Sequence, residues 1–434
     1  MRLLGKSREA LALLGCLAAL ASCRGRDRVA PAEREKGILA PPSVAPSVAP
    51  SAAPSAAPST GGEVTLRLTS TRKVEQLIGD VDRETGKPTR NRTEERYGLK
   101  GTDLGYSFEH RGRVLFLFGD TLGKGGGDSF AWSTSTDPHS GLALQFFSNK
   151  PGSYVQIRPE GIRMGGFEVP VSGVSLGGQA YVVLKTNHTE GAFTEISVLT
   201  KLIEPDLRFS RVRELSRLPE GKFIKMSIHE EPSGTAGLPP GGPWLLLFGT
   251  GKMRASDPYL ALVPASSLET GRGTRYFSGI VGGAARWAET EAEARPLFSH
   301  PTMMDLSVTW SADLKLWLMV YDSREGSAEE RGIVLRHSRS PTGPWSSAQR
   351  LFSPKEGYGR FIHDASHPDP RLAGPMISAE KRQEPEKFNG AAYAPYVVER
   401  FTRLQGSTLS LYYVLSTWNP YVVVLMESQL AVSR

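Results

Sequence analysis

Two aspartates lie at positions where they could do acid/base chemistry together. Asp103 stands in the segment GTDLG (101–105), and Asp120 closes the apolar run LFLFGDT (115–121). A turn at 110–112 predicts that the two segments pair as an antiparallel hairpin, which would bring both carboxyl groups to the same end. Two carboxyl groups on one rigid rim suit hydrolysis of a glycosidic bond, because one can stay ionised while the other holds a proton. The alternative is that Asp120 only caps a turn beside Gly119.

Other polar and aromatic residues fall at comparable places and are candidates for binding a substrate. Asp305 and Asp322 bracket a second hairpin as Asp103 and Asp120 bracket the first. The remaining candidates lie in the first strand of the third unit and after the last apolar run, and they are His229, Glu230, Trp418 and Asn419. The tryptophans at 132, 310 and 418 could stack on sugar rings, or they could pack at strand ends.

The sequence offers one weak candidate for a metal site, in HDASHPD (363–369). His363, Asp364 and His367 could together ligate a metal ion, but a polar loop flanked by proline is the alternative. The chain has no HExxH helix motif, no phosphate-binding loop and no dinucleotide fingerprint. We therefore expect neither a cofactor nor a bound metal.

The run that carries Asp120 recurs along the chain. Its relatives all end in Thr or Ser, and they are AYVVLKT (180–186), WLLLFGT (244–250), WLMVYDS (317–323) and LYYVLST (411–417). Apolar runs of this length bounded by turn residues predict buried strands, and five copies predict a repeat architecture. A plausible partner strand precedes each run, and another strand follows it. For the last four runs the partner strands are expected at 171–179, 225–232, 305–315 and 396–406. The expected fold is all-β, with five units of three or four strands.

A five-bladed β-propeller accommodates five such units around a central channel, with the first strand of each blade lining it. The chain ends, 64–70 and 427–434, are expected to meet and close the ring. A β-sandwich is the competing architecture, but it does not explain the fivefold recurrence. Residues 79–100 are expected to form a loop, and 286–295 a short surface helix.

Composition narrows the class of protein. The 434 residues carry a formal net charge of +7, of which residues 1–36 contribute +4, and no basic patch with interleaved aromatics appears. Binding to nucleic acid is therefore not expected. The two cysteines, Cys16 and Cys23, both lie near the N-terminus, so the body contains neither a disulfide nor a thiolate metal site.

The N-terminus has the features of a bacterial lipoprotein leader. Basic residues precede an apolar stretch at 10–21, and Leu20-Ala21-Ser22-Cys23 resembles a lipobox. Residues 1–22 are thus expected to be a signal peptide, with lipidation of Cys23 as the membrane anchor. The alternative is an ordinary signal peptide cut near Ala21. Arg24, rather than an aspartate, follows the cysteine, which favours the outer membrane.

Residues 23–61 are rich in Ala, Pro and Ser and contain too little apolar bulk to fold. We expect a disordered tether there, followed by the propeller over 62–434. The body is expected to be a monomer held at the cell envelope.

The paired end motifs resemble a known family. GTDLG with LFLFGDT, and the closing YYVLSTWNPYVVVLM (412–426), are similar to the ends of domain-of-unknown-function family 4185 (DUF4185), with the resemblance spanning residues 74–428. Members of that family include bacterial endo-D-arabinanases of glycoside hydrolase family 183, which cut the D-arabinofuranose chains of mycobacterial cell walls. The resemblance implies a five-bladed propeller, and it implies that Asp103 and Asp120 are the catalytic aspartates.

Two functions of different kinds are consistent with these features. The first is a cell-envelope glycoside hydrolase that cleaves furanose-containing polysaccharide, endo-acting on D-arabinan, with Asp103 and Asp120 sharing the acid and base roles. The second is a non-catalytic propeller that binds a glycan or a protein. The sequence does not assign which aspartate is the acid.

Overall fold

The computed structural model describes residues 64–434 apart from 190–191, 233, 302, 304, 325, 328–330, 378–383 and 385–386. The predicted leader, its lipidation residue Cys23 and the tether fall on residues 1–63 and lie outside the described residues. Among the residues described, no helix has the length and apolar character needed to cross a membrane.

The described chain begins with strand β1 (Thr65–Gln76) and a single-turn helix α1 (Thr93–Tyr97). Twenty-one further strands follow. Blade one contains β2 (Leu99–His110), β3 (Arg113–Gly123), β4 (Ser129–Ser133) and β5 (Gln145–Phe146). Blade two contains β6 (Val169–Leu176), β7 (Gln179–Thr186), β8 (Ile196–Ile203) and β9 (Arg208–Arg217).

Blade three contains β10 (Lys225–Glu230), β11 (Trp244–Thr250), β12 (Tyr259–Pro264), β13 (Arg275–Val281) and β14 (Ala284–Ala288). Blade four contains β15 (Leu306–Ser311), β16 (Leu316–Ser323), β17 (Gly332–Ser338) and β18 (Gln349–Phe352). Blade five contains β19 (Ala392–Val397), β20 (Arg403–Gln405), β21 (Thr408–Thr417) and β22 (Val422–Ser433). Short 3₁₀ turns connect several strands, at Pro138–Ser140, Ala265–Ser267, Glu291–Glu293, Pro354–Gly357, Pro370–Leu372 and Glu399–Phe401.

The five sheets form a ring, which confirms the predicted five-bladed β-propeller. Each sheet is antiparallel and is ordered from its first strand outwards. The first strands contact one another in the order β2, β6, β10, β15, β19 and back to β2. Such a closed circuit of inner strands encloses a central channel, whereas a sandwich would stack its sheets in two layers.

The second strand of each blade carries the recurring apolar run, and its position explains that pattern. Every residue of β11 and β16 is buried, and so are nine of the ten residues of β21. A strand in the middle of a blade packs against a neighbouring blade on each face. It therefore reads as continuously apolar rather than alternating.

The Thr or Ser that ends each run satisfies polar groups where the strand leaves the core. Thr121 Oγ1 lies 2.9 Å from both Thr102 Oγ1 and Ser129 Oγ. Thr417 Oγ1 donates to the carbonyl of Val422 (3.2 Å). A hydroxyl is small enough for a crowded strand end and can donate to a carbonyl that would otherwise be buried unpaired.

The first strand of the chain closes the ring. Strand β1 pairs antiparallel with β22, from Thr65 opposite Ser433 to Gln76 opposite Val424. The predicted meeting of the two chain ends is confirmed. Pairing from the opposite end of the chain covers the edge that β22 would otherwise expose, and such edges invite aggregation.

The prediction of a short helix at 286–295 is wrong. The segment instead contains the end of β14, which pairs with β13, and the 3₁₀ turn Glu291–Glu293. Trp287 packs edge-on against Phe277, with ring centroids 6.0 Å apart, and Glu291 accepts a hydrogen bond from Ser216 Oγ (2.6 Å). These tertiary contacts outweigh a weak helical preference over ten residues.

Three further expectations need adjustment. Blades three and five have five strands, once β1 is counted in the latter, rather than three or four. The inner strand of blade five was expected within 396–406, but β19 begins at Ala392, and a 3₁₀ turn at Glu399–Phe401 separates it from β20. Phe401, buried in that turn, packs edge-on against Tyr412. The expected loop at 79–100 includes α1 and the start of β2.

Removing β1 should destabilise the whole ring, because β22 then loses its outer partner and exposes a long edge. We expect a variant that lacks residues 1–76 to aggregate and to lose most of its soluble yield, whereas a variant that lacks residues 1–63 folds as a monomer. Size-exclusion chromatography and thermal unfolding followed by circular dichroism measure both. Equal yields and equal melting temperatures for the two variants would contradict the closure described here.

Candidate functional site

One end of the channel collects the ionisable residues, and we call it the carboxylate mouth. It is the end at which the inner strands β2, β6, β10, β15 and β19 begin. The hairpin register places the residue before each terminal Thr or Ser beside that start. In blade order, the residues at this position are Asp120, Lys185, Gly249, Asp322 and Ser416.

Asp103 lies on β2 opposite Gly119 and is 8% exposed. The Tyr393 hydroxyl of blade five donates to its Oδ2 (2.8 Å), while Oδ1 has no hydrogen-bond partner among the described residues. Burial raises the pKa of Asp103 to about 7, the nearby charge of Asp120 adds to the rise, and the Tyr393 hydrogen bond opposes it. Asp103 can therefore hold a proton near neutral pH.

A distortion of the backbone follows directly after Asp103. Leu104 has a left-handed φ of 63°, which is uncommon for a residue with a bulky side chain. Ser416 of blade five supports this conformation, since its Oγ accepts a hydrogen bond from the Leu104 N–H (2.8 Å). The hydroxyl at the repeated position of blade five thus helps to fix the strand that carries Asp103.

Asp120 also has a left-handed backbone, with a φ of 41°. Asp128 supports it, because its Oδ1 accepts the Asp120 N–H (2.9 Å). Burial raises the pKa of Asp120 to about 6, while the Phe167 N–H and the Lys185 ammonium oppose that rise. Asp128 is 1% exposed, and burial next to Asp120 raises its pKa well above the usual range. Asp128 therefore supports the backbone of Asp120, and its burial disfavours its ionised form.

Two buried lysines lie between the acidic blades. Lys225 Nζ forms an ion pair with Asp305 (2.6 Å), joining blades three and four. Lys185 is 7% exposed, and among the described residues no carboxylate lies within 4.0 Å of its Nζ. Burial, together with the charge of Lys225, lowers the pKa of Lys185 to about 8. Lys185 thus remains a cation at neutral pH without a fixed partner.

Blade four carries a second pair of acids. The Asp305 N–H donates to Asp322 Oδ1 (3.2 Å), and the Tyr396 hydroxyl donates to Asp305 Oδ1 (3.2 Å). Burial and the charge of Asp305 raise the pKa of Asp322 to about 7, against the effect of Lys225. The charge of Asp305 also contributes to the raised pKa of Asp103.

Two tyrosines occupy the channel below the acids. Tyr106 and Tyr396 are 3% and 2% exposed and meet edge to face, with ring centroids 5.4 Å apart. The Tyr106 hydroxyl accepts the Ile228 N–H (3.2 Å) and lies 3.3 Å from Ser227 Oγ. These rings form an apolar floor that removes the acids from bulk water, which is the physical cause of their raised pKa values.

Four of the predicted site residues come together at the carboxylate mouth, namely Asp103, Asp120, Asp305 and Asp322. His229 and Glu230 do not join them, because β10 begins at Lys225 and they lie four and five residues further along it. Burial lowers the pKa of His229 to about 4, and its ring meets Trp317 edge-on. Glu230 is exposed beyond that point.

The last two substrate-binding candidates follow β21. Trp418 is half-buried, and its N–H donates to the Ala391 carbonyl (3.0 Å). Asn419 is fully buried, and its carbonyl accepts the His363 N–H (2.9 Å). Trp418 therefore lies at the mouth end of blade five, whereas the Asn419 side chain lies beneath the surface.

The candidate metal loop does not converge on one point. His363 is fully buried, whereas His367 is exposed and pairs with Asp364 (3.5 Å). Across the described part of the chain, no group of three or more His, Cys, Asp or Glu side chains is arranged to hold a metal ion.

The mouth also contains residues that the sequence did not single out, namely Asp128, Lys185, Lys225, Tyr393 and Tyr421. Tyr421 is buried with its hydroxyl beside the Asp103 carboxyl group. The signal for Lys185 was present, because it stands in AYVVLKT at the position that Asp120 holds in LFLFGDT. The repeat does not mark Asp128, Tyr393 or Tyr421. Asp128 and Tyr421 lie in connections between strands, and Tyr393 lies in β19, which begins earlier than predicted.

This arrangement defines a five-bladed propeller with two carboxyl groups of raised pKa at one channel mouth. The family model of DUF4185, a domain of unknown function, matches residues 88–427, and this chain belongs to that family. None of the curated proteins matches the chain.

Several solved structures are similar to this chain. One is a thermostable family-43 glycoside hydrolase, with 13% identity and a TM-score of 0.41, covering 78% of this chain and 91% of that one. Another is an exo-β-1,3-galactanase from Phanerochaete chrysosporium, with 10% identity, a TM-score of 0.39, and 83% and 64% covered. A third is a GH43_1 enzyme from Xanthomonas citri, with 12% identity, a TM-score of 0.42, and 76% and 88% covered. Similarity at this level identifies neither a substrate nor a reaction.

Replacing Asp103 with Asn should stabilise the fold at alkaline pH. The pKa of this group is about 7 in the folded state, well above the ordinary aspartate value of 3.8. The folded state therefore binds more protons than the unfolded state between these values, so this carboxyl group costs increasing stability as the pH rises from about 4 to about 7. We expect Asp103→Asn to raise the melting temperature at pH 8 by several degrees, and to have little effect at pH 4.

Asp137→Asn is the matched control, because Asp137 is exposed and its pKa is lowered by hydrogen bonds from Ser140 and His139. Thermal unfolding of both variants and wild type across this pH range is the measurement. If Asp103→Asn has the same melting temperature as wild type at pH 8, the Asp103 carboxyl group is not shielded from water.

Proposed function

We propose that this chain is a glycoside hydrolase in which Asp103 is the general acid and Asp120 the base or nucleophile. The observation that carries the proposal is the pair itself. Two carboxyl groups from one hairpin lie at the same channel mouth, and burial holds the pKa of Asp103 at about 7 and that of Asp120 at about 6. Pairs of carboxyl groups with separated pKa values are how glycosidases keep one proton donor and one anion near neutral pH.

The contacts of each aspartate support the assignment of roles. Asp120 is part-exposed at the mouth, accepts the Phe167 N–H (3.4 Å) and has the cation of Lys185 nearby, so its ionised form is favoured. Asp103 Oδ1 has no hydrogen-bond partner among the described residues and would carry the proton. In this mechanism Asp103 protonates the leaving oxygen while Asp120 acts on the anomeric carbon or activates a water.

The proposed substrate is a furanose-containing polysaccharide, cut internally in its D-arabinan chains. This part rests on the resemblance of GTDLG and FGDT to the motifs of endo-D-arabinanases and on membership of DUF4185. The proposed location is the bacterial cell envelope, with lipid on Cys23 as an anchor in the outer membrane.

Loss of either aspartate should abolish hydrolysis. We expect the variant lacking residues 1–63 to release oligosaccharides from mycobacterial arabinogalactan, and Asp103→Asn or Asp120→Asn to lower the rate by about 10²–10⁴-fold, as loss of a general acid or base does. Release is measured by chromatography of labelled reducing ends. Asp137→Asn serves as the control and should retain full activity.

A wild-type body that cuts no furanose polysaccharide would remove the enzymatic proposal and favour the non-catalytic glycan- or protein-binding propeller. Asn variants that cut as fast as wild type would remove the two aspartates from the mechanism.

The pH dependence of kcat/KM should be bell-shaped, with limbs near pH 6 and pH 7. Activity needs Asp120 ionised and Asp103 protonated, so it falls below the pKa of Asp120 and above that of Asp103.

Removing the charge of Lys185 takes away a cation that lowers the pKa of Asp120. Lys185→Met should therefore move the acidic limb to higher pH, while Lys185→Arg should leave it in place. An acidic limb that does not move in Lys185→Met contradicts the electrostatic role of this lysine.

A further inference from the structure

Two phenylalanines at the carboxylate mouth have backbone conformations that are costly for their residue type. Phe167, just before β6, has a φ of 73°, and Phe193, in the loop from β7 to β8, has a φ of 45°. A bulky residue rarely adopts this left-handed conformation, and strain of this kind concentrates at functional sites. Both loops lie at the end of the channel where Asp120 and Lys185 are found.

Phe167 is next to the proposed catalytic pair. Its N–H donates to Asp120 Oδ1 (3.4 Å), and its half-buried ring packs against the His188 ring, with centroids 5.1 Å apart. His188 is itself held by Glu195, whose Oε1 lies 2.8 Å from Nδ1. Phe167, which is part-exposed, is therefore held in a fixed position beside Asp120.

Phe193 is the second aromatic side chain at this end of the ring, and it contacts blade three. It is 43% exposed, and Lys252 Nζ from the loop after β11 lies 3.8 Å from its ring centroid. The base of its own loop is closed by two hydrogen bonds, Asn187 Nδ2 to the Thr194 carbonyl (3.0 Å) and Thr194 Oγ1 to the Asn187 carbonyl (2.7 Å). Met253, 47% exposed, follows Lys252.

The mouth therefore combines exposed rings with nearby hydrogen-bonding groups. Sugar rings present apolar C–H faces between their hydroxyl groups, and such faces pack on aromatic rings. The Lys185 ammonium, 7% exposed and without an ion-pair partner among the described residues, can donate to a hydroxyl at the same mouth. Large exposed apolar side chains beside a polar cleft mark binding surfaces.

We propose that Phe167 and Phe193 form a platform that binds sugar units of the polysaccharide next to the bond that is cut. The inference rests on the proposed function for its location, but it concerns binding and can be tested without catalysis. The occupant is a neutral glycan chain that lies across blades two and three, with one sugar face on each ring.

Affinity electrophoresis tests the platform. The inactive Asp120→Asn form of the body is run through gels that contain arabinogalactan, xylan, β-1,3-galactan or pullulan. We expect at least one polysaccharide to retard it, and Phe167→Ala and Phe193→Ala each to weaken that binding about five- to tenfold, consistent with loss of an aromatic contact. Phe193→Tyr keeps the ring and should restore binding.

Trp132→Ala is the matched control. Trp132 is likewise half-buried beneath a cation, since Arg113 lies 4.3 Å from its ring centroid, but it is at the opposite end of blade one. The Trp132→Ala variant should be retarded as strongly as the Asp120→Asn form from which it is made. Circular dichroism should show that all variants are folded. Unchanged retardation of both Phe→Ala variants, or no retardation of the parent by any of the four gels, overturns the platform. If a polysaccharide retards the Asp120→Asn form but wild type cuts no furanose polysaccharide, the hydrolase proposal fails and the platform stands.

Discussion

The exclusion of water from the carboxyl groups at the centre of the ring is the condition on which the site depends. A carboxyl group that is buried beside another resists ionisation, and Asp103, Asp128 and Asp322 are each less than a tenth exposed. The tyrosines of the channel floor provide that exclusion from below, and the loops of blades two and five provide it from the sides. Burying these groups lowers the free energy of unfolding. The packing of every inner strand between two others offsets that loss.

Each blade has an equivalent position at the mouth, but the residue type at that position differs between the blades. The position before the terminal Thr or Ser is an acid in blades one and four, an amine in blade two, a glycine in blade three and a hydroxyl in blade five. Because these positions all lie at one mouth, single substitutions in equivalent strands place two carboxyl groups, an ammonium group and a hydroxyl around the same channel. The glycine has a steric reason, since a Cβ at Gly249 would lie 2.3 Å from the Phe223 ring.

The sequence predicted the number of blades because a strand buried on both faces leaves an unbroken apolar run, and five such runs are easy to see. It predicted that Asp103 and Asp120 lie together because a hairpin has only one register that fits its turn. It placed His229 and Glu230 correctly on the first strand of blade three, but they fail as site candidates because they lie four and five residues beyond the start of β10 at Lys225 and so away from the mouth. Tyr393 and Asp128 were beyond reach, because one comes from an interrupted strand and the other acts through a backbone hydrogen bond.

Because β1 pairs with β22, the ring cannot close until the last strand has been synthesised. Strand β1 is among the first parts of the body to be synthesised, and its partner begins at Val422. At ordinary translation rates of about 5–20 residues per second, β1 waits roughly 20 to 70 s before that partner exists. Through that interval the edge of β1 that later pairs with β22 has no partner strand, and an unpaired strand edge can associate with other chains.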